Sequence, residues 1–571
     1  MSLLRFDFEG ETKIFEKPLR ELVARDLSEV LPVMKAAEDA QKSGKYVAGF
    51  VSYEAAPAFR SNLKTKTSTE NMPLVWFGVY DNFTDTIAET PNSAPLSFKM
   101  DTTYPDYAAK IAQIKTEIAA GNTYQINYTV RLQSDVPSDF SAQATYETLQ
   151  QVGKANYTAL LSNDEFQIIS ASPELFFKWK ENVLTTRPMK GTVRRGNTEQ
   201  ADLAAHDWLK NDPKNRAENV MIVDLLRNDL GMIAVPGSVK VPNLMTLEPY
   251  PTVWQMTSTV TAETVPETDL TSVFKALFPC GSITGAPKAR TMEIISELED
   301  SPRDVYCGAI GFLEPNGNAI FSVPIRTIAI TDNKATYGVG GGIVWDSDAE
   351  SEFSEIHAKS AILEKATKFS LIECLRLENG ELARTDFHLK RLQTSAEFFG
   401  YSFNREEIRE LWNETARKNA TGTYKLRFLL HPDGTHQLEL AEISAKNTPI
   451  TAHLAEKPVS TNNLFLYHKT THRQVYEDLK SIKTAETLLW NERDELTEFI
   501  NGNIVLGING CFFTPPATSG LLPGTMRAEL LANNKITEKT LVKKDLFEAD
   551  FVWLINSVRG FVEVEIMKKA T

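Results

Sequence analysis

Thr185-Thr186-Arg187-Pro188-Met189-Lys190-Gly191-Thr192 sets one lysine between a proline and a glycine. The stretch follows a strand-like run over 175–184 that opens with Ser172-Pro173-Glu174. Proline fixes its own backbone angle and glycine frees it, so Pro188 and Gly191 hold Lys190 at a set angle. A lysine held away from bulk water can lose its proton and become a nucleophile. Glu174 stands sixteen residues earlier, one hairpin away, where it could supply the matching acid. A lone lysine in a Pro/Gly turn is more often a surface residue, and only its surroundings argue otherwise.

Those surroundings are large. A chain of 571 residues exceeds one hydrophobic core, so two or more domains are expected. The net charge of -14 argues against broad nucleic-acid binding and suits small-molecule substrates. Cys280, Cys307, Cys374 and Cys511 are scattered, without a CxxC pair, which fits a reducing, cytoplasmic setting. Acids come too early at the N-terminus for a signal peptide, and no apolar run would span a membrane.

Along the chain, Tyr107, Ile111, Ile114 and Ile118 form one helical stripe, ended by Gly121. The polar alternation over 122–129 predicts a ligand-facing or edge strand. Asp212-Pro213 is expected to cap a helix reaching Gly231. There Glu218 is expected to share the apolar face with Met221, Ile222 and Leu225, and a carboxylate so placed needs an arginine or a metal. The loop from Phe278 to Lys288 fails the GxxxxGK phosphate template at Ala286 and Pro287, and Tyr337 to Ile343 fails GxGxxG at Ile343. These glycines are expected instead to bring backbone N–H groups to an anionic ligand, a carboxylate. Between them 321–330 reads as one strand, with Arg326 inside it seeking a carboxylate. Glu352 and Glu355, three apart on an acidic helix over 346–365, share a face. With Glu218 they would make an oxygen-only site suited to magnesium, although paired glutamates on such a helix are more often solvated.

Around Ala366 the pattern resets, with a strand over 369–377, a turn at Asn379-Gly380, and His388, Arg391 and Leu392 opening a helix. An α/β (α+β) chain of two domains, 1–365 and 369–571, is expected. The first divides into an N-terminal part (1–100) and a second part (100–365).

Taken together, these blocks resemble the chorismate-using enzymes, the family that makes anthranilate, aminodeoxychorismate and isochorismate. The resemblance covers about 100–365. It rests on Ser172-Pro173-Glu174, the Lys190 stretch, Arg216-Ala217-Glu218-Asn219 through Asp229, Gly281-Ser282 to Lys288, Tyr306-Cys307-Gly308-Ala309, Ile325-Arg326-Thr327, Gly340 to Val344, and Glu350 to Glu355. It implies a β-sandwich core flanked by helices. Lysine at position 190, where anthranilate-forming relatives carry alanine, points to the aminodeoxychorismate-forming branch and to folate synthesis. It implies Lys190 as nucleophile and Glu174 as acid. Magnesium would sit on Glu218, Glu352 and Glu355. Substrate would be held by Tyr306, Arg326, Gly340, Gly341, Gly342, Thr284 and Lys288. No Gly-x-Cys-x-Gly elbow is encoded, so the resemblance implies a separate glutamine amidotransferase that supplies ammonia. Ser52-Tyr53-Glu54 resembles a motif that lines a tryptophan pocket in relatives.

The second half resembles the class IV pyridoxal-phosphate enzymes, which implies a smaller α/β domain. Lys469 would be the Schiff-base lysine and general base, and Glu498 the partner of the pyridinium nitrogen. Arg391, Gly524 and Thr525 would hold the cofactor phosphate. A lyase step releasing pyruvate and leaving 4-aminobenzoate would follow. A homodimer through this domain is also expected. The chain departs from that family in lacking a Tyr-Gly-Asp-Gly-like opening and in carrying His472 where asparagine is usual. The other readings are a non-catalytic C-terminal interaction module, and anthranilate formation.

Overall fold

In the strand Tyr46–Val51, Val47 and Val51 join one buried cluster while Ala48 and Phe50 join another. Ala309–Leu313 repeats the split, with Ala309 and Leu313 on one side and Ile310 and Phe312 on the other. Strands apolar on both faces need cover on both faces, and that demand builds a layered domain. The computed structural model describes residues 2–567 apart from 70, 87–92, 154, 195–198, 250–252, 366–368, 444–448, 462 and 481–483. It divides into two units, Met1–Thr367 and Lys368–Thr571.

In the first unit, described residues form a nine-stranded and a ten-stranded sheet. Side chains of both, among them Leu4, Phe6, Phe50, Trp76, Leu161 and Phe312, share one cluster between the sheets. Helices Leu27–Lys42, Pro213–Gly231 and Leu270–Leu277 cover the outer face of the ten-stranded sheet. Tyr104–Ala119, Ala142–Gly153 and Ala349–Lys365 cover that of the other. The expected β-sandwich flanked by helices is therefore present.

Two segments cross from sheet to sheet. Gln167–Ser172 lies in the nine-stranded sheet and Leu175–Lys180 in the ten-stranded one, with Pro173 and Glu174 at the crossing. Ala319–Ser322 and Thr327–Thr331 make the return crossing through 323–326. The single strand expected over 321–330 is thus two strands in different sheets, and Arg326 sits at the crossing with φ 52°. Pro324, which has no N–H for a ladder, lies where the pairing breaks. The crossings are laced together. Val323 N–H donates to Glu174 O at 3.0 Å, Ser172 Oγ to Val323 O at 2.5 Å, and Ala171 N–H to Arg326 O at 3.1 Å.

Lys190 lies on the strand Met189–Arg194. Met189 faces Thr257 and Thr192 faces Gln255, so the strand carries an extra residue at Lys190-Gly191, and Gly191 takes φ 92°. Such a bulge re-aims a side chain, and the positive φ is why glycine stands there. Pro213–Gly231 begins as expected, with Asp212 accepting from Asn215 N–H at 2.8 Å. Its buried stripe runs through Asn219, Ile222, Val223, Leu226 and Leu230. Glu218 therefore sits at the edge of the apolar face, half-buried, and not in its middle.

The second unit pairs Glu381–Leu382, Leu371–Glu378, Thr423–Leu430 and His436–Glu442 in one sheet, backed by Thr385–Phe399 and Arg405–Lys418. Its other sheet holds eight strands among the described residues, and pairing of Leu496–Phe499 with Gly502–Ile508 closes six of them into a ring. The segment carrying Lys469 runs beside the first sheet, where Ile372 N–H donates to Lys469 O at 2.8 Å.

Candidate active sites

One serine joins the two groups expected to carry the first reaction. Lys190 Nζ donates to Ser282 O at 3.1 Å, and Ser282 Oγ donates to Glu174 Oε1 at 2.6 Å. Glu174 is 3 % exposed. Burial pushes its carboxyl up to about 7 against the pull of Ser282 and Lys190. Burial lowers Lys190, while Glu218 and Glu174 oppose that shift. An acid raised toward neutrality beside an amine whose proton burial loosens suits leaving-group protonation coupled to amine attack.

The glycine run lies across from this pair. Gly340, Gly341 and Gly342 pair with Thr129, Tyr128 and Asn127, while the neighbouring strand on the other side pairs no further than Tyr337. Residues 338–343 thus leave one strand edge without a partner strand. A Cβ on Gly342 would lie 2.2 Å from Gln125 Nε2 and 3.5 Å from Lys190 Nζ, and one on Gly341 3.2 Å from Glu352 Oε2. A side chain at Gly342 would have to displace Gln125, and one at Gly341 would crowd Glu352. Gln125, whose Oε1 is buried without a hydrogen-bond partner, was not singled out by the sequence.

The remaining expected substrate ligands are placed differently. Arg326 is half-buried, and no ion pair to a carboxylate is seen for it among the described residues. The Tyr306 ring packs under Gly338, where a Cβ would approach it to 2.4 Å. Thr284 Oγ1 donates within its own turn, to Cys280 O at 3.1 Å. Lys288 is buried, with Nζ 2.8 Å from Asp229 Oδ2 and 3.1 Å from Leu277 O. Its ammonium is already satisfied, and contact with substrate would break a buried ion pair. Tyr53 and Glu54 border a cleft also lined by Lys64, Lys66, Glu299 and Arg303. Arg303 reaches from there to Ile283 O at 2.8 Å, beside the Ser282 loop.

Glu218, Glu352 and Glu355 share a neighbourhood without converging. Burial raises Glu218, Lys190 and Lys214 lower it, and the other two glutamates raise it again. Glu352 accepts from Ser347 Oγ at 2.7 Å, and Glu355 pairs with Lys359 at 2.7 Å. No three acidic, histidine or cysteine side chains among the described residues are arranged to hold a metal ion. The donors suit magnesium in kind, but their arrangement does not fit it.

In the second unit Lys469 and Glu498 sense each other's charge. Burial lowers the Lys469 amine, and Arg391 and Arg473 push the same way against Cys374 and Glu373. Glu498 is buried and accepts from Tyr476 Oη at 2.9 Å, Leu522 N–H at 3.1 Å and Asn503 Nδ2 at 3.2 Å. Burial pushes it up to about 7, so it can hold a proton against a ring nitrogen. Gly524 leaves space at the start of the helix Thr525–Ala532, where a Cβ would meet Asn503 Oδ1 at 2.0 Å. Arg391 is held by Glu373, a carboxylate inside the apolar strand Leu371–Glu378. A lone acid in such a strand was the signal that could have found Glu373. These groups fit pyridoxal phosphate: a low-pKa amine, a buried acid for the ring nitrogen, and a basic, glycine-opened cradle.

The chorismate binding enzyme family model matches residues 84–365, and the amino-transferase class IV model matches residues 370–566. The chain therefore joins a chorismate binding enzyme domain to a class IV amino-transferase domain. More particularly, it is 42% identical over 270 residues to aminodeoxychorismate synthase component 1 of Salmonella typhimurium, a match covering 47% of this chain and 59% of the relative. With the Bacillus subtilis protein of the same name it is 40% identical over 274 residues, covering 48% and 58%. The chain thus spans less than two thirds of the length of these relatives. Among solved structures, anthranilate synthase component I from Streptococcus pneumoniae superposes with a TM-score of 0.52 at 25% identity, covering 63% of this chain and 90% of that one. Among the described residues no helix is long and apolar enough to cross a membrane.

Proposed function

We propose that the chain converts chorismate and ammonia to 4-amino-4-deoxychorismate in its first unit, and eliminates pyruvate in its second to leave 4-aminobenzoate. The observation that carries the reading is the Lys190–Ser282–Glu174 chain. Neutral Lys190 attacks C2 of the ring, the two double bonds shift, and the C4 hydroxyl departs with the proton of Glu174. Ammonia then forms a bond at C4, the double bonds shift back, and Lys190 leaves from C2. Arg326 and the open edge over 338–343 grip the substrate's carboxylates. A glutamine amidotransferase subunit supplies the ammonia, in keeping with the component 1 naming of the relatives. The same reading expects magnesium, for which Glu355 would have to leave Lys359; no step above depends on it.

In the second unit, bound pyridoxal phosphate supplies the electron sink that stabilises negative charge next to the substrate amine. Lys469 takes the ring proton at C4, and Glu498 holds a proton at the pyridine nitrogen. Loss of the enolpyruvyl group as pyruvate makes the ring aromatic and drives the step.

The test is product analysis of the purified chain given chorismate, an ammonium salt, magnesium and pyridoxal phosphate. 4-Aminobenzoate with pyruvate is expected. Accumulation of aminodeoxychorismate would refute the lyase half, and anthranilate would refute the role of Lys190. Equal product with magnesium and with a chelator would remove the metal from the reading.

A further inference from the structure

Two hydroxyls converge on one imidazole beside the proposed phosphate cradle. His388 is fully buried on the helix Thr385–Phe399. Its Nδ1 lies 2.5 Å from Glu373 Oε2. Its Nε2 lies 2.8 Å from Ser557 Oγ and 3.1 Å from Thr525 Oγ1. Glu373 also accepts from Arg391 Nε at 2.9 Å and Nη2 at 2.6 Å. Burial alone would raise Glu373, but Arg391 and His388 hold it down to about 2. An ionised carboxylate only accepts, so the His388 proton sits on Nδ1.

The state of Nε2 then decides what the hydroxyls can do. In a neutral ring Nε2 is an acceptor with one lone pair, which takes the hydrogen of Ser557, the nearer hydroxyl, or of Thr525. That hydroxyl then presents only lone pairs to a phosphate dianion, which needs donors. Protonation reverses the polarity: Nε2–H donates to the hydroxyl oxygens and frees both hydrogens for the phosphate.

We infer that this chain takes up a proton at His388 Nε2 when it binds the phosphate of its cofactor. The inference rests on the pyridoxal phosphate reading above. The charges facing His388 are Glu373 from the strand, Arg391 from its own helix and Lys469 from the neighbouring segment; the Arg384–Glu529 pair flanks Ser557. Burial, Arg391 and Lys469 disfavour the imidazolium and Glu373 favours it. A dianion at the hydroxyls adds the negative charge that tips this balance. His388 is thus a positioning residue that acts through Thr525 and Ser557. Affinity is flat below the pKa of His388 in the cofactor-free protein. It falls up to tenfold per pH unit between that value and the higher one in the complex, and is flat above it.

Pyridoxine 5′-phosphate is the probe, because it lacks the aldehyde and leaves Lys469 out of the proton count. Its binding to wild type and to His388→Gln is measured by calorimetry in buffers of contrasting ionisation enthalpy. The phosphate's own titration is common to both proteins. Wild type is expected to take up more protons than the variant, by as much as one, and only wild type should lose affinity as described. Equal uptake, with both proteins binding, overturns the inference. Nitrogen NMR of histidine-labelled wild type tests it without a variant: Nε2 should change from an acceptor to a protonated nitrogen on adding the probe, and an unchanged signal overturns it. Failure of wild type to bind either pyridoxine 5′-phosphate or pyridoxal phosphate overturns the cofactor reading, and this inference with it.

Discussion

Replacing Ser282 with alanine removes one hydrogen bond and tests the acid–nucleophile pairing. Ser282 Oγ lies 2.6 Å from Glu174 Oε1 in a buried setting. A hydrogen bond to a charged group contributes about 1.5–3 kcal/mol, and one pH unit corresponds to about 1.4 kcal/mol, so its loss should raise Glu174 by about one to two units. Glu174 already stands at about 7. A higher value keeps the carboxyl protonated to higher pH, so the alkaline limb of the adduct-forming rate should move up by the same amount. The maximum should fall, because a weaker acid assists a leaving group less. The Lys190 contact is to the backbone oxygen and survives the substitution. The assay is single-turnover formation of the Lys190–substrate adduct, without ammonium so that its own titration does not intrude, followed by mass spectrometry across pH. The limb reports the coupled pair and not Glu174 alone, but its direction is fixed. An unmoved or acid-shifted limb in a folded variant would refute the argument that Glu174 carries the proton and that Ser282 tunes it.

Lys190→Ala should abolish the adduct and aminodeoxychorismate formation while circular dichroism stays that of wild type. Gly342→Ala puts a methyl 2.2 Å from Gln125 Nε2 and 3.5 Å from Lys190 Nζ, and displacement on that scale should lower kcat about tenfold to a hundredfold in steady-state assays. Lys288→Met leaves Asp229 buried without its partner and should destabilise the first unit by about 3–5 kcal/mol, read as a lower Tm in calorimetry. Lys469→Ala should lose the visible pyridoxal band and the release of pyruvate, yet still accumulate aminodeoxychorismate.

Much of the first unit was legible because its signals are local. The stripe from Tyr107 to Ile118 gave the helix Tyr104–Ala119, and Asp212-Pro213 opened Pro213–Gly231 where expected. The errors came where long-range pairing overrides local pattern. Bulky apolar residues run on through 321–330, and although Pro324 breaks the ladder, nothing local announces that the strand beyond it joins the other sheet. The helix face was misjudged at Glu218 by one position, since Met221 and Leu225 mimic a stripe that packing in fact centres on Asn219 and Ile222. For Lys288, proximity to the glycine loop suggested a ligand contact, whereas its partner Asp229 lies fifty-nine residues away in sequence. The links through Ser282, Gln125 and Ser557 depend on distances between segments, which no spacing rule carries.

The two crossings between sheets have a mechanical consequence. Glu174 rides one and Arg326 the other, tied by Val323, Ser172 and Ala171. The proposed proton donor and the proposed anion grip are therefore mounted on the struts that join the halves of the sandwich. The spacing between them is gauged by the filling, by Phe6, Phe50 and Phe312 and their neighbours. Thinning that filling, as in Phe312→Leu, would let the halves settle together and bring donor and grip out of step. Residues that never meet substrate thus act as the shims of the site, and their wear would register as lost turnover before lost fold.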